Sequence, residues 1–192
     1  MRYRFVPYVL LLSICGPVAA AAQYAPAGHI LTNTDPVAAA YDPVTHRAYV
    51  VPAGQKLDWL IEHLRKPEGP VLIFSRTKIG ADRLSRRLAA AGVKCIALHA
   101  DRTMDQRRQA VEGFKGGRYK VLVATDIAAR GLDIDGIHTV INYEMPDSPE
   151  AYVHRVGRTG RADEAGHAIT LVLPEERRAL ALLEKSVGVR LE

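Results

Sequence analysis

The sequence predicts an α/β fold: a mainly parallel sheet of five or more strands with helices on both faces. Three observations predict it. Short apolar runs such as Val71-Leu72-Ile73-Phe74 and Val121-Leu122-Val123-Ala124 recur without the alternation of a half-exposed strand, as expected of strands buried on both faces. Between these runs lie stretches whose apolar residues repeat at helical spacing. Strand and helix alternate along the chain, which requires crossover connections and so a parallel sheet covered on both sides.

Each element has its own signal. Leu57, Leu60, Ile61 and Leu64 mark a first helix, stopped by Pro67-Glu68-Gly69-Pro70 before the strand Val71–Phe74. Leu84, Leu88 and Ala91 line a second helix that ends at Gly92, and Cys95-Ile96-Ala97-Leu98 is the next strand. Thr103-Met104-Asp105-Gln106 is a capping box, opening a helix with Ala110, Val111 and Phe114 inward and Gly116-Gly117 at its end. Val121–Ala124 and Thr139–Tyr143 are the third and fourth strands, and Ser148-Pro149 supplies an N-cap and a first helical residue. Ala168–Leu173 is a fifth strand. Pro174-Glu175-Glu176 opens the closing helix with acids at its positive end, and Leu180, Leu183 and Val187 form its buried face. Ligands of such sheets bind beyond the carboxyl ends of the strands, so the segments after Phe74, Leu98, Ala124 and Tyr143 are expected to hold the chemistry.

The 192 residues, 48% apolar and 24% charged, suffice for one core of ordinary size. The net charge of +5 is not carried by a tail, because 23 basic and 19 acidic groups fall beyond residue 48. A mildly basic surface suits an anionic partner without requiring one. Two cysteines, Cys15 and Cys95, with no CxxC or His/Cys cluster, point to neither a disulfide framework nor a zinc site. Met1-Arg2-Tyr3-Arg4, the apolar run from Phe5 to Cys15, Gly16-Pro17 and the alanines before Gln23 form a signal-peptide-like leader over residues 1–26, with a cleavage site after Ala22. Its apolar run is shorter than the about 20 residues of a membrane helix, so no stable span is expected. Residues 27–48 read as an irregular segment with two Asp-Pro steps. Val37 to Val51 resembles a repeat of a secreted β-propeller, and one repeat closes no propeller. The folded domain is expected over residues 49–192.

The densest cation array is His154-Arg155-Val156-Gly157-Arg158-Thr159-Gly160-Arg161. On a helix of about 100° per residue, His154, Arg158 and Arg161 fall within about 60° of one another, with Arg155 beside them. Guanidinium groups so placed offer forks of donors matched to phosphate oxygens. The two glycines let a neighbouring surface approach, at about 1 kcal/mol each relative to Ala in a helix. A solvated basic face is the alternative reading of such a run.

That octapeptide, together with Val121-Leu122-Val123-Ala124-Thr125-Asp126-Ile127-Ala128-Ala129-Arg130-Gly131-Leu132-Asp133-Ile134, resembles motifs VI and V of DEAD-box RNA helicases. Val71 to Lys78 is similar to motif IV, in the same order. The resemblance runs from about Tyr49 to Glu192 and is closest to the RhlE-like branch, through Arg76-Thr77-Lys78 and Gly80-Ala81-Asp82-Arg83-Leu84. It implies a RecA-like fold, the C-terminal lobe of a helicase. It also implies that Arg158 and Arg161 reach the γ-phosphate of ATP, held with Mg mainly by an N-terminal lobe, Arg161 acting as an arginine finger. Asp133 would bond the ribose and Gly131 lie close to the nucleotide, though turn chemistry after a strand also accounts for both. His154 and Arg155 would contact the acidic motif of the other lobe, with Phe74 packed beneath their helix or simply in the core. Thr77, Arg107 and Thr125 would contact the RNA sugar-phosphate backbone without reading bases. His99-Ala100, where His-Gly is usual, and Met104, where Gln is common, depart from the family pattern and bear on RNA affinity rather than on the arginines.

No Gly-Lys pair occurs in the 192 residues, so they contain no G-x-x-x-x-G-K-[ST] phosphate loop. Asp163-Glu164 follows the arginine helix rather than a strand and reads as a turn, not as a metal-holding acid pair. Two functions are therefore expected as alternatives. One is a helicase lobe that contributes RNA contacts and arginines and supports ATP hydrolysis only with a separate N-terminal lobe. The other is a non-catalytic RNA- or protein-binding module, or the remnant of a gene fusion or truncation. The lobe's chemistry implies the cytoplasm, and the leader implies export.

Overall fold

The computed structural model describes residues 44–130, 134, 136–160 and 165–192. Within them six strands pair in parallel: β1 Val44–Val50, β2 Val71–Phe74, β3 Cys95–Leu98, β4 Val121–Ala124, β5 Thr139–Asn142 and β6 Gly166–Val172, in the spatial order β1-β6-β5-β2-β4-β3. Helices α1 Lys56–His63, α2 Lys78–Ala90, α3 Met104–Lys115, α4 Asp126–Ala129, α5 Pro149–Val156 and α6 Arg177–Val187 connect and follow the strands. The leader over residues 1–26 and the segment up to residue 43 lie outside the described residues.

The continuous apolar runs are explained by alternation across the sheet. Val71 and Ile73 of β2 join Leu60, Leu84 and Leu88 under α1 and α2. Leu72 and Phe74 of the same strand join Ala110 and Phe114 of α3 with Ala128 of α4. Both faces are covered, and all four residues of β2 are buried. A third cluster places Tyr152 and Val156 of α5 against Leu183 and Val187 of α6. Each fully buried Leu, Ile or Phe of this kind contributes about 1.5–3 kcal/mol.

The structure departs from the sequence reading at its start. Residues 44–48, expected as irregular chain outside a domain beginning at 49, belong to β1, which pairs along its whole length with β6. Its half-buried pattern is that of an edge strand, which supplies no apolar run for a pattern search to find. The segment resembling a propeller repeat thus ends as part of this sheet. Beside β1, the Ala48 N–H donates to the Glu192 carbonyl at 2.8 Å and the Glu192 N–H to the His46 carbonyl at 3.1 Å, clasping the two ends of the described domain.

The caps at Thr103 and Ser148 form as the sequence implies, and Thr77 supplies another. Thr77 Oγ1 accepts from the Gly80 N–H, Thr103 and Gln106 complete their reciprocal box, and Ser148 Oγ accepts from the Ala151 N–H. The closing helix begins as one 3-10 turn at Pro174–Glu176 before α6.

Candidate functional site

The carboxyl ends of β4 and β5 bring together a buried polar network. Arg155, on α5, is 2% exposed, a burial rare for an arginine unless its charge is paired. Its Nε donates to Asp126 Oδ1 at 2.7 Å and Nη2 to Asp126 Oδ2 at 2.8 Å, a two-pronged pair with the first residue of α4. Nη1 donates to Asn142 Oδ1 at 3.1 Å and to the Glu144 carbonyl at 3.2 Å. Asn142 in turn donates to Thr170 Oγ1 on β6. The guanidinium lies over the Phe74 ring, 5.1 Å from its centre, so Phe74 packs beneath the arginine helix as well as in the core.

The resemblance implied that Arg155 reaches another lobe. Its guanidinium is engaged inside this one, where it fixes α4, α5 and the end of β5 to each other. Its neighbour His154 is exposed.

The helical spacing that put Arg158 on one face with His154 does not hold, because α5 ends at Val156. Gly157 is the C-cap, and Gly160 adopts a φ of +66°, which interrupts any helix and which only glycine takes without strain. Between the glycines, buried Thr159 donates its hydroxyl to the Ile137 carbonyl at 2.6 Å, and Ile137 and Thr159 form an isolated parallel bridge. A side chain at Gly166 would collide with Thr159 and Gly160, so Gly166 admits this close approach. Arg158 is half-buried and lies between two fixed neighbours, Arg155 and Thr159. Phe74, Asp126, Arg130, His154, Arg155 and Arg158 line one cavity of about 20 Å³. Arg161, Gly131 and Asp133 lie outside the described residues, as do Asp163 and Glu164.

The three residues expected at RNA gather at the same carboxyl ends. Thr77 follows β2 and Thr125 follows β4, and these strands are paired neighbours. Thr125 is 8% exposed, its N–H donating to the Leu98 carbonyl at 3.3 Å. Arg107 reaches from α3 to the Ala128 carbonyl at 3.5 Å, which sets it against α4. Met104, at the start of α3, is exposed, and His99 is buried with Nε2 3.1 Å from Asp82 Oδ1.

Residues 55–163 match the helicase conserved C-terminal domain. The chain belongs to that family. This helicase C-terminal domain is 41% identical over 164 residues to the DEAD-box ATP-dependent RNA helicase RhpA of Helicobacter pylori, covering 84% of the chain and 32% of the relative. It superposes on the E. coli DEAD-box protein SrmB bound to regulator of ribonuclease activity A with a TM-score of 0.74 and 32% identity, covering 77% of the chain and 88% of the other. The C-terminal domain of the DEAD-box protein Dbp5 gives a TM-score of 0.71 at 32% identity, covering 78% and 89%. The chain spans about a third of the length of the RhpA relative. Among the described residues no helix is long and apolar enough to cross a membrane.

Sequence reasoning missed the partners of Arg155 in this helicase domain. Asp126 follows Thr125 within the motif V run, and its acid at the first position of a four-residue helix is a signal that could have marked it as the partner of a cation. Asn142, a polar residue closing an apolar strand, is a second such signal.

Proposed function

We propose that this lobe contributes RNA-backbone contacts and phosphate-directed arginines to an ATP-dependent RNA helicase whose N-terminal lobe holds ATP and Mg. Thr77, Arg107 and Thr125 are the RNA contacts, Arg158 and Arg161 the arginines, and Gly131 and Asp133 the residues beside the nucleotide. The Arg76-Thr77-Lys78 signature supports an RhlE-like place within the family. Such chemistry uses ATP and RNA and so belongs in the cytoplasm.

The observation that carries this reading is the fixing of Arg158 between Arg155, held by Asp126, and Thr159, held by Ile137. A cation on a backbone secured at both sides is preorganised, and preorganisation makes a charge effective on a developing transition state. The adjoining cavity of about 20 Å³ is far below the about 300 Å³ at which ligand pockets begin. A phosphate served by these arginines is therefore presented from outside the lobe, as the two-lobe arrangement requires.

The test is RNA-stimulated ATP hydrolysis by the chain with and without a DEAD-box N-terminal lobe. Activity is expected only with it. In a fusion of the two, Arg161→Ala and Arg158→Ala should each lower kcat by about a thousandfold, in the range for losing an arginine finger, while ATP affinity changes much less. Lysine should rescue little, since a point charge does not reproduce a planar fork. Turnover within about twofold of the parent, with RNA binding lost, would make these arginines RNA contacts instead.

A further inference from the structure

The amino ends of the strands carry a second cluster that the helicase reading leaves unused. His138 immediately precedes β5, His167 is the second residue of β6, and Glu68 lies in the loop that leads into β2. One donor atom from each falls within 4.8 Å of the other two. The backbone that carries them is tied together, the His138 N–H donating to the Pro70 carbonyl and the His167 N–H to the His138 carbonyl, each at 3.0 Å. Gly69 is what lets the loop lie this close, since a Cβ there would stand 2.6 Å from His138 Cβ. The cluster opens into a cavity of about 270 Å³ also lined by Arg47, His63 and Thr139.

We propose that Glu68, His138 and His167 bind a divalent transition-metal cation of the zinc type. Two imidazoles and one carboxylate suit zinc and its neighbours, whereas magnesium and calcium prefer oxygen donors alone. His138 Nδ1 lies 3.0 Å from Thr139 Oγ1. In the tautomer that donates this bond, Nε2 keeps its lone pair on the Glu68 side, where it stands 3.6 Å from Oε2.

A His138–Glu68 pair alone would be an ordinary surface contact of little energy, Glu68 being 78% exposed. The second imidazole, its ring centre 4.9 Å from that of His138, is what a surface pair does not need. Zinc bonds of about 2.1 Å impose about 3.4 Å between donors, and donors within 4.8 Å of one another close to that separation by small side-chain movements. Solvent from the cavity completes the coordination. Arg47, exposed on β1, opposes the bound charge and sets an upper limit on affinity.

The experiment titrates the chelator-treated full chain with Co²⁺, read by its visible d–d absorption, and with Zn²⁺ by competition. One equivalent is expected to bind with the spectrum of nitrogen and oxygen ligands. His138→Gln and His167→Gln should each weaken binding by about a hundredfold or more, since even outer-shell partners of a metal cost 10–100-fold. Glu68→Gln should weaken it by about tenfold, and Arg47→Gln should strengthen it by about five- to tenfold, because a like charge is removed nearby. The last two residues are exposed, so these variants decide the matter even where a histidine variant fails to fold. The proposal is overturned by absence of stoichiometric binding, or by affinity unchanged in both the Glu68 and Arg47 variants. It is equally overturned if Arg47→Gln abolishes binding of inorganic phosphate while metal affinity stays flat, which would make the cavity an anion site.

Discussion

The two ends of one parallel sheet use their polar side chains in opposite ways. At the carboxyl ends, Arg155, Asp126, Asn142 and Thr170 satisfy one another, and the charge at the centre is sealed from water. At the amino ends, His138, His167 and Glu68 bring one possible ligand atom each within 4.8 Å of one another beside a cavity. Self-satisfied groups fix geometry and bind nothing. Groups left with spare valence beside a cavity cost little stability and can take a ligand. The carboxyl-end network therefore acts through what it holds in place, chiefly the chain on either side of Arg158.

The contrast can be tested by substitution. Asp126→Ala leaves the buried Arg155 charge without its partner and should destabilise the domain by about 3–5 kcal/mol, as expected on breaking a buried ion pair. Urea unfolding measures this, and a loss below about 1 kcal/mol would mean the carboxyl end is not held by the network. A smaller effect is expected at Glu144, beside the same network, where burial raises the carboxyl above its usual range. A raised acid contributes stability that is fully present below its unfolded pKa of about 4.5 and is lost as pH rises through its folded value. Glu144→Gln should remove this slope, so that the variant gains on the parent between pH 4.5 and 7; parallel stability curves would contradict it. The smallest effect is expected at the amino end, where His138→Gln in metal-free buffer should change stability by less than about 0.5 kcal/mol. A loss matching that of Asp126→Ala would erase the distinction between the two ends.

The fold was largely legible in the sequence, because a strand buried on both faces writes itself as an unbroken apolar run, as β2 and β4 do, and β3 and the middle of β5 and β6 are apolar too. β1 did not, since an edge strand with one face in solvent mixes polar and apolar residues. The arginine motif stood out by its residue types, and its shape was illegible. Its residue types suit phosphate chemistry, but the course of the chain beyond α5 follows Gly160 turning left-handed and Thr159 finding a carbonyl 22 residues away. Arg155 shows the same limit, its role being decided by Asp126, 29 positions earlier. The histidine cluster left no trace at all, since its members are separated by four strands and four helices and share no spacing.

The clasp between Glu192 and the residues His46 and Ala48 means that the domain's chain is nearly a closed loop. Val44 is two strand residues from His46, about 7 Å at the rise of an extended strand. A short linker from Glu192 to Val44 would thus make the backbone continuous there, and new termini could be opened elsewhere. The turn at Gly116-Gly117, where Gly117 has a φ of +74° and the chain is exposed, lies between α3 and β4 and buries nothing. A circular permutant cut at that turn would keep all six strands in register while moving both termini from the β1 edge of the sheet towards its β3 edge, a different attachment point for any fused domain.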